Sequence, residues 1–239
     1  MSDASRLARL AYSQKPAGKP YVNYKLSTDQ LGSIESHRLD AAMDAAYAAA
    51  ISYAESLYGL KIRSTSWPVI KFYYCSFYCI KAILLFSKVI PFNSGDEMLL
   101  EVDGSNFFKG GKSSHHWNWY SIRRTQAKDH WFSSQDSEEA YGKLRKFREN
   151  VNYTHSFNDP RLHASLISSE SDLAKRFKFY RDDDNFQYTY LDDHLAFAYP
   201  TKLLFALDEL IKNTGVKISD ERRLHLNSLW KLRERCPLT

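Results

Sequence analysis

The chain has 239 residues, 44% of them hydrophobic, enough to bury a sizeable core as one large domain or one domain with an insertion, without a disulfide staple. Its three cysteines, Cys75, Cys79 and Cys236, are odd in number and lack the paired spacing of a zinc site, so a reducing, cytoplasmic setting is expected. The net charge of +5 permits nucleic-acid binding without requiring it.

Residues 1–27 contain Pro16 and Pro20 and little periodicity, and read as an N-terminal extension. No basic start leads into a continuous apolar stretch with a cleavage site, so secretion is not expected. From Ile34 to Leu60 the Ala-rich run carries Leu39, Met43, Ala46, Tyr47, Ala50 and Tyr53 at spacings of three and four, which predicts a long helix. A second helix is predicted from Ser66-Trp67-Pro68, a capping hydroxyl with an early proline, to about Phe86. It is apolar on more than one face, as a central bundle helix is. Lys71, Lys81 and Lys88 interrupt the apolar run, which argues against a membrane span.

Between about 87 and 130, Pro91, Gly95, Gly104, Gly110 and Gly111 break the pattern. This stretch reads as an irregular or small β insertion, with EMLLEV as a strand and Gly110-Gly111-Lys112 as a plain turn. A third helix is predicted from near Ser137, with Glu138 and Glu139 favourable to its dipole and Tyr141, Leu144, Phe147 and Val151 on its buried side. A fourth runs from about Asp192 to Asn213, stopped by Gly215, and a fifth starts at Ser219-Asp220 with a basic amphipathic face. The fold class is therefore mainly α, with residues 28–239 forming one helical domain around the insertion.

Aromatic residues make up 15% of the chain and stand beside basic ones in WNWYSIRR and RFKFYR. Rings can stack on unpaired bases while Arg and Lys meet phosphates, although amphipathic strand or core packing is the default for either segment. On the third helix, His155 lies seven residues beyond Arg148 and so returns to within about 20° of the same direction, roughly 10 Å along the axis. Asn152 lies on the same strip and Glu149 at its margin. An Arg and a His on one face are commonly solvated or salt-bridged, and by themselves they point only weakly to function.

The segment KFYYCSFYCIKAILL resembles a signature of HEPN proteins, basic-x-Tyr-Tyr-small-x-Phe-x-x-x-basic-Ala-x-Leu, on the helix preceding the active helix. Tyr73, Tyr74, Phe77, Lys81, Ala82 and Leu84 fall on it in register. Further along, RENVNYTH resembles that family's Arg, four to six residues, His motif, with Arg148 and His155 at the longest spacing. The resemblance covers roughly residues 34–86 and 137–214. It implies an up-and-down HEPN-like bundle and a homodimer in which two Arg148 and two His155 face one cleft. It further implies a metal-independent, cofactor-free endoribonuclease acting on RNA in stress or phage defence, with an antitoxin or defence-system protein as a further partner.

Glu149 departs from the Asn, Asp or His that many active members place after the Arg. A non-catalytic HEPN-type module that binds nucleic acid or a partner therefore stands as the alternative. A structural subunit whose Arg148 and His155 buttress a helical dimer is the third reading.

Among other polar groups, Asp182-Asp183-Asp184 and Asp192-Asp193-His194 read as solvated turns rather than a carboxylate metal site. His115 and His116 are neighbours that point apart in a strand. No nucleophile elbow, zinc-protease pair or nucleotide-binding glycine loop occurs.

Overall fold

The computed structural model describes residues 2–111, 130–153, 173–230, 232 and 236–239. Among them the chain forms seven α-helices and one small sheet, a mainly α fold with a β insertion. The helices are α1 (Asp3–Ser13), α2 (Thr28–Lys61), α3 (Ser66–Phe86), α4 (Gln135–Tyr153), α5 (Leu173–Arg181), α6 (Asp192–Thr214) and α7 (Asp220–Leu229). Two compact units divide the chain: Met1–Ala45 with Ile80–Ser133, and Ala46–Cys79 with Ser134–Thr239.

In the first unit, residues expected to form a loose extension instead fold as α1. Ser2 caps it by accepting from the Ser5 amide, and Asp3 favours its first turn. Its buried face is Ala4, Ala8 and Ala11, so it lies close on β1 (Val89–Ser94). There the Ser5 hydroxyl donates to the Pro91 carbonyl at 2.8 Å and Tyr12 packs against Phe92 and Phe107. A stripe of alanines carries little apolar signal, which is why periodicity missed it.

The insertion forms an antiparallel sheet in the order β1-β2-β3, with β2 at Asp96–Glu101 and β3 at Asn106–Gly111. Glu97–Glu101 of EMLLEV is therefore strand, as expected, and Val102 starts the turn after it. Gly110 and Gly111 end β3 instead of making a turn, beside a register shift at Glu97/Met98. Pro91 is tolerated because β1 is an edge strand. Gly95 turns between β1 and β2 at φ 87°, a region other residues enter only with strain. Buried Arg38 of α2 donates to the Leu85 carbonyl at 2.6 Å near the end of α3, and its fork is held by both Glu35 oxygens at 2.6 Å.

The second unit is built on an aromatic core. Tyr53 of α2 packs on Phe72 of α3, Phe177 of α5, Phe197 of α6 and Trp230, and its hydroxyl meets Thr201 Oγ1 at 2.6 Å. Gly59 lets the start of α3 approach: a Cβ there would meet Pro68 Cγ at 2.7 Å. RFKFYR is part of helix α5, with Phe177 and Tyr180 buried in the core while Phe179 is exposed beside Tyr188. Gly215 at φ 70° ends α6, and the Ser219 side chain caps α7. α3 is long and apolar enough to cross a membrane, yet 67% of its apolar window is buried inside the fold, as in a core helix.

Burial raises the phenols of Tyr53 and Tyr199 well above their ordinary value, against hydrogen bonds from Thr201 and Ser137. The unfolded chain loses these protons above about pH 10 while the folded chain keeps them, so stability falls as pH rises from there. The expected loss is about 1.4 kcal/mol per buried phenol per pH unit until the folded value is reached. Urea unfolding at rising alkaline pH should show it, and Tyr199→Phe should flatten the slope.

Candidate functional site

Tyr141, Leu144, Arg148 and Val151 form the inward face of α4 at spacings of three and four. Arg148 therefore arrives in the structure almost covered, 8% exposed, with its guanidinium 4.9 Å above the Tyr73 ring of α3. The Tyr141 hydroxyl donates to that of Tyr73 at 3.2 Å. Burial raises the Tyr73 phenol, opposed by hydrogen bonds from Tyr141 and Arg148 and by the Arg148 charge. The arginine thus sits over a neutral, electron-rich ring, a contact that does not neutralise its charge.

The Glu149 carboxylate lies beside two guanidiniums. Its Oε1 is 3.7 Å from Arg145 Nε and 4.0 Å from Arg148 Nη2. Asn152 is exposed, one turn beyond Arg148. His155 lies outside the described residues, as do His115, His116 and WNWYSIRR. The structure brings together Arg148, Glu149 and two groups the sequence reading did not assign to the site, Tyr73 and Arg145. Tyr73 was visible as part of the aromatic signature. Arg145 carried only the signal of lying three residues before Arg148 on the same side.

The acidic segments have structural work. Buried Asp183 accepts from the amides of Gln187, Tyr188 and Thr189 and from the Thr189 hydroxyl, at 2.8–2.9 Å, closing a loop in which Phe186 takes φ 54°. Asp183→Ala should cost about 3 kcal/mol and Asp183→Asn less, in denaturant titrations, because several amides lose one charged acceptor. Asp192 pairs with Lys143 at 2.7 Å in the first turn of α6, and His194 Nδ1 bonds the Tyr180 hydroxyl at 2.8 Å. Among the described residues no three His, Cys, Asp or Glu side chains are grouped to hold a metal. Cys75, Cys79 and Cys236 are buried and in no disulfide, and burial pushes the Cys75 thiol up, away from reactivity.

A cavity of about 570 Å³ lies beside Phe179, Asp183 and Tyr188, and another of about 510 Å³ beside Phe205, Ile211 and Leu238; Arg148 lines neither. Comparison with known proteins finds no family model, no curated protein and no solved structure that matches this chain.

Proposed function

We propose that the chain is a metal-independent endoribonuclease of HEPN type, working as a homodimer on RNA. The observation that supports this reading is the contact between the two segments that carry the resemblance: Arg148 of RENVNYTH lies over Tyr73 of the aromatic signature. The planar guanidinium of an arginine can meet two phosphate oxygens at once and favour the more charged transition state.

His155, with an ordinary value of about 6.5, can take the proton from the RNA 2′-OH or return one to the leaving 5′ oxygen near neutral pH. One helix supplies one His, so acid and base come from two chains facing one cleft. The products are a 2′,3′-cyclic phosphate and a 5′-OH end. The setting in this proposal is the cytoplasm, in stress or phage defence, with an antitoxin or other defence-system protein restraining the activity.

A second reading, a non-catalytic HEPN-type module that binds nucleic acid or a partner, is favoured by Glu149 after the arginine and by the depth of Arg148. RNA cleavage in EDTA separates the two. The enzyme reading expects cleavage by wild type, lost in Arg148→Ala and in His155→Ala with dimerisation intact. Binding without cleavage on any RNA would favour the module, and unfolding of both variants would favour a structural role.

A further inference from the structure

The segment RFKFYR, with its rings beside basic residues, divides between two faces of α5. Leu173, Phe177 and Tyr180 fill the core, whereas Lys175, Lys178 and Phe179 are exposed, Phe179 by 50%. Lys175 stands three residues before Lys178 and four before Phe179, so the three side chains leave neighbouring points of one helix face. They line the cleft of about 570 Å³ whose other wall is the loop at 182–188. That size falls within the range of small-ligand sites, about 300–1,000 Å³.

The loop wall is built. Buried Asp183 accepts from the amides of Gln187, Tyr188 and Thr189 and from the Thr189 hydroxyl, which fixes the backbone at Tyr188. The Tyr188 ring packs on Phe179 with centroids 4.4 Å apart and meets His194 edge-on at 5.1 Å. A single exposed phenyl is ordinary. One braced by a second ring in a cleft, a turn from two lysines, is a platform of the kind that holds unpaired bases.

The exposed carboxylates of the loop have cations of their own. Arg181 holds Asp182 at 2.7 and 3.2 Å, and Lys202 Nζ lies 3.7 Å from Asp184. Lys178 adds only a longer-range attraction to Asp182. Among the described residues Lys175 and Lys178 are in no ion pair, so their ammonium groups can meet phosphates.

We infer that this cleft is a subsite for one unpaired nucleotide of an RNA strand, its base stacked on Phe179 and its flanking phosphates met by Lys175 and Lys178. The inference takes the identity of the polymer from the ribonuclease reading and adds to it the substrate class. That class is single-stranded RNA, since a paired base keeps its faces within the helical stack. Stacking reads no base edge, so the subsite anchors strands without choosing their sequence.

The test is anisotropy in EDTA with a short, labelled, 2′-O-methylated oligouridine, which 2′-OH attack cannot cleave. Phe179→Ala should weaken binding about tenfold, the scale of one lost base stack, and leave the salt slope unchanged. Lys175→Gln and Lys178→Gln should each lower that slope by about 0.7 between about 50 and 200 mM salt. An oligomer with abasic sugars throughout keeps the phosphates and lacks the bases, so it should bind wild type and Phe179→Ala alike. Phe179→Leu keeps an apolar contact with Tyr188 but has no stacking face; it should bind as the alanine variant does and melt with wild type.

Wild-type affinity in both Phe179 variants, in a protein that cleaves RNA, overturns the subsite and leaves the ribonuclease reading standing. Phe179-dependent binding without cleavage by wild type keeps the subsite and overturns that reading. If wild type neither binds nor cleaves RNA, both fall; capture of an oligolysine peptide, lost in Asp184→Asn, would then mark the cleft as a peptide site.

Discussion

Arg148→Ala is expected to lose RNA cleavage by at least about a hundredfold, the scale on which a single charge-stabilising donor acts in a transition state. The same substitution removes a buried guanidinium from above Tyr73 and leaves a gap between α4 and α3, so it should also cost about 2 kcal/mol of stability. The two effects are separable with Arg148→Lys. Lysine keeps the charge and much of the aliphatic packing but cannot present a planar fork. Its stability loss should be about 1 kcal/mol or less while cleavage stays close to that of the alanine variant. If Arg148→Lys instead cleaves as wild type does, the fork has no part in the chemistry, and a structural role for Arg148 gains.

The largest effect on stability is expected at Tyr53. Its ring touches α3, α5, α6 and Trp230 at centroid distances of 5.4–6.1 Å and is fully buried. Tyr53→Ala would leave a cavity too enclosed to collapse, at a cost of about 4 kcal/mol, enough to unfold a domain of ordinary stability. Tyr53→Phe keeps the ring and loses only the bond to Thr201. The Thr201 hydroxyl still donates to the Phe197 carbonyl at 2.7 Å, so the cost should be about 1 kcal/mol. Chemical denaturation of the two variants beside wild type measures both numbers, and a difference of under about 1 kcal/mol between them would contradict the packing described.

Those elements whose apolar faces are long and continuous were legible from sequence. Residues 34–60, 66–86 and 192–213 read as helices and fold as helices. The start of α7 at Ser219-Asp220 and the stop at Gly215 followed from cap chemistry alone. α1 was not legible because its buried stripe is Ala4, Ala8 and Ala11, residues that pack closely but barely differ from a solvated helix in hydropathy. α5 was hidden because a nine-residue helix offers only Leu173, Phe177 and Tyr180 at helical spacing, and R-F-K-F equally fits an amphipathic strand.

At the site, spacing along α4 pointed to Arg148 but said nothing of depth. That the arginine lies under cover on Tyr73 depends on the crossing of two helices far apart in sequence. Glu149 was read from sequence as lying at the margin of the site, whereas Arg145 looked like an ordinary charge on a mixed-charge helix, the usual solvated case. In the structure Arg145 and Arg148 both approach one oxygen of Glu149, at 3.7 and 4.0 Å. His155, on which the acid–base chemistry of the proposal depends, lies outside the described residues.

The central claim, RNA cleavage by 2′-OH attack without a metal, is tested most directly by the ends of the products. RNA incubated with wild-type protein in EDTA should yield fragments bearing a 2′,3′-cyclic phosphate and a 5′-OH. Fragments with 3′-OH and 5′-phosphate ends, or RNA left intact, would contradict it.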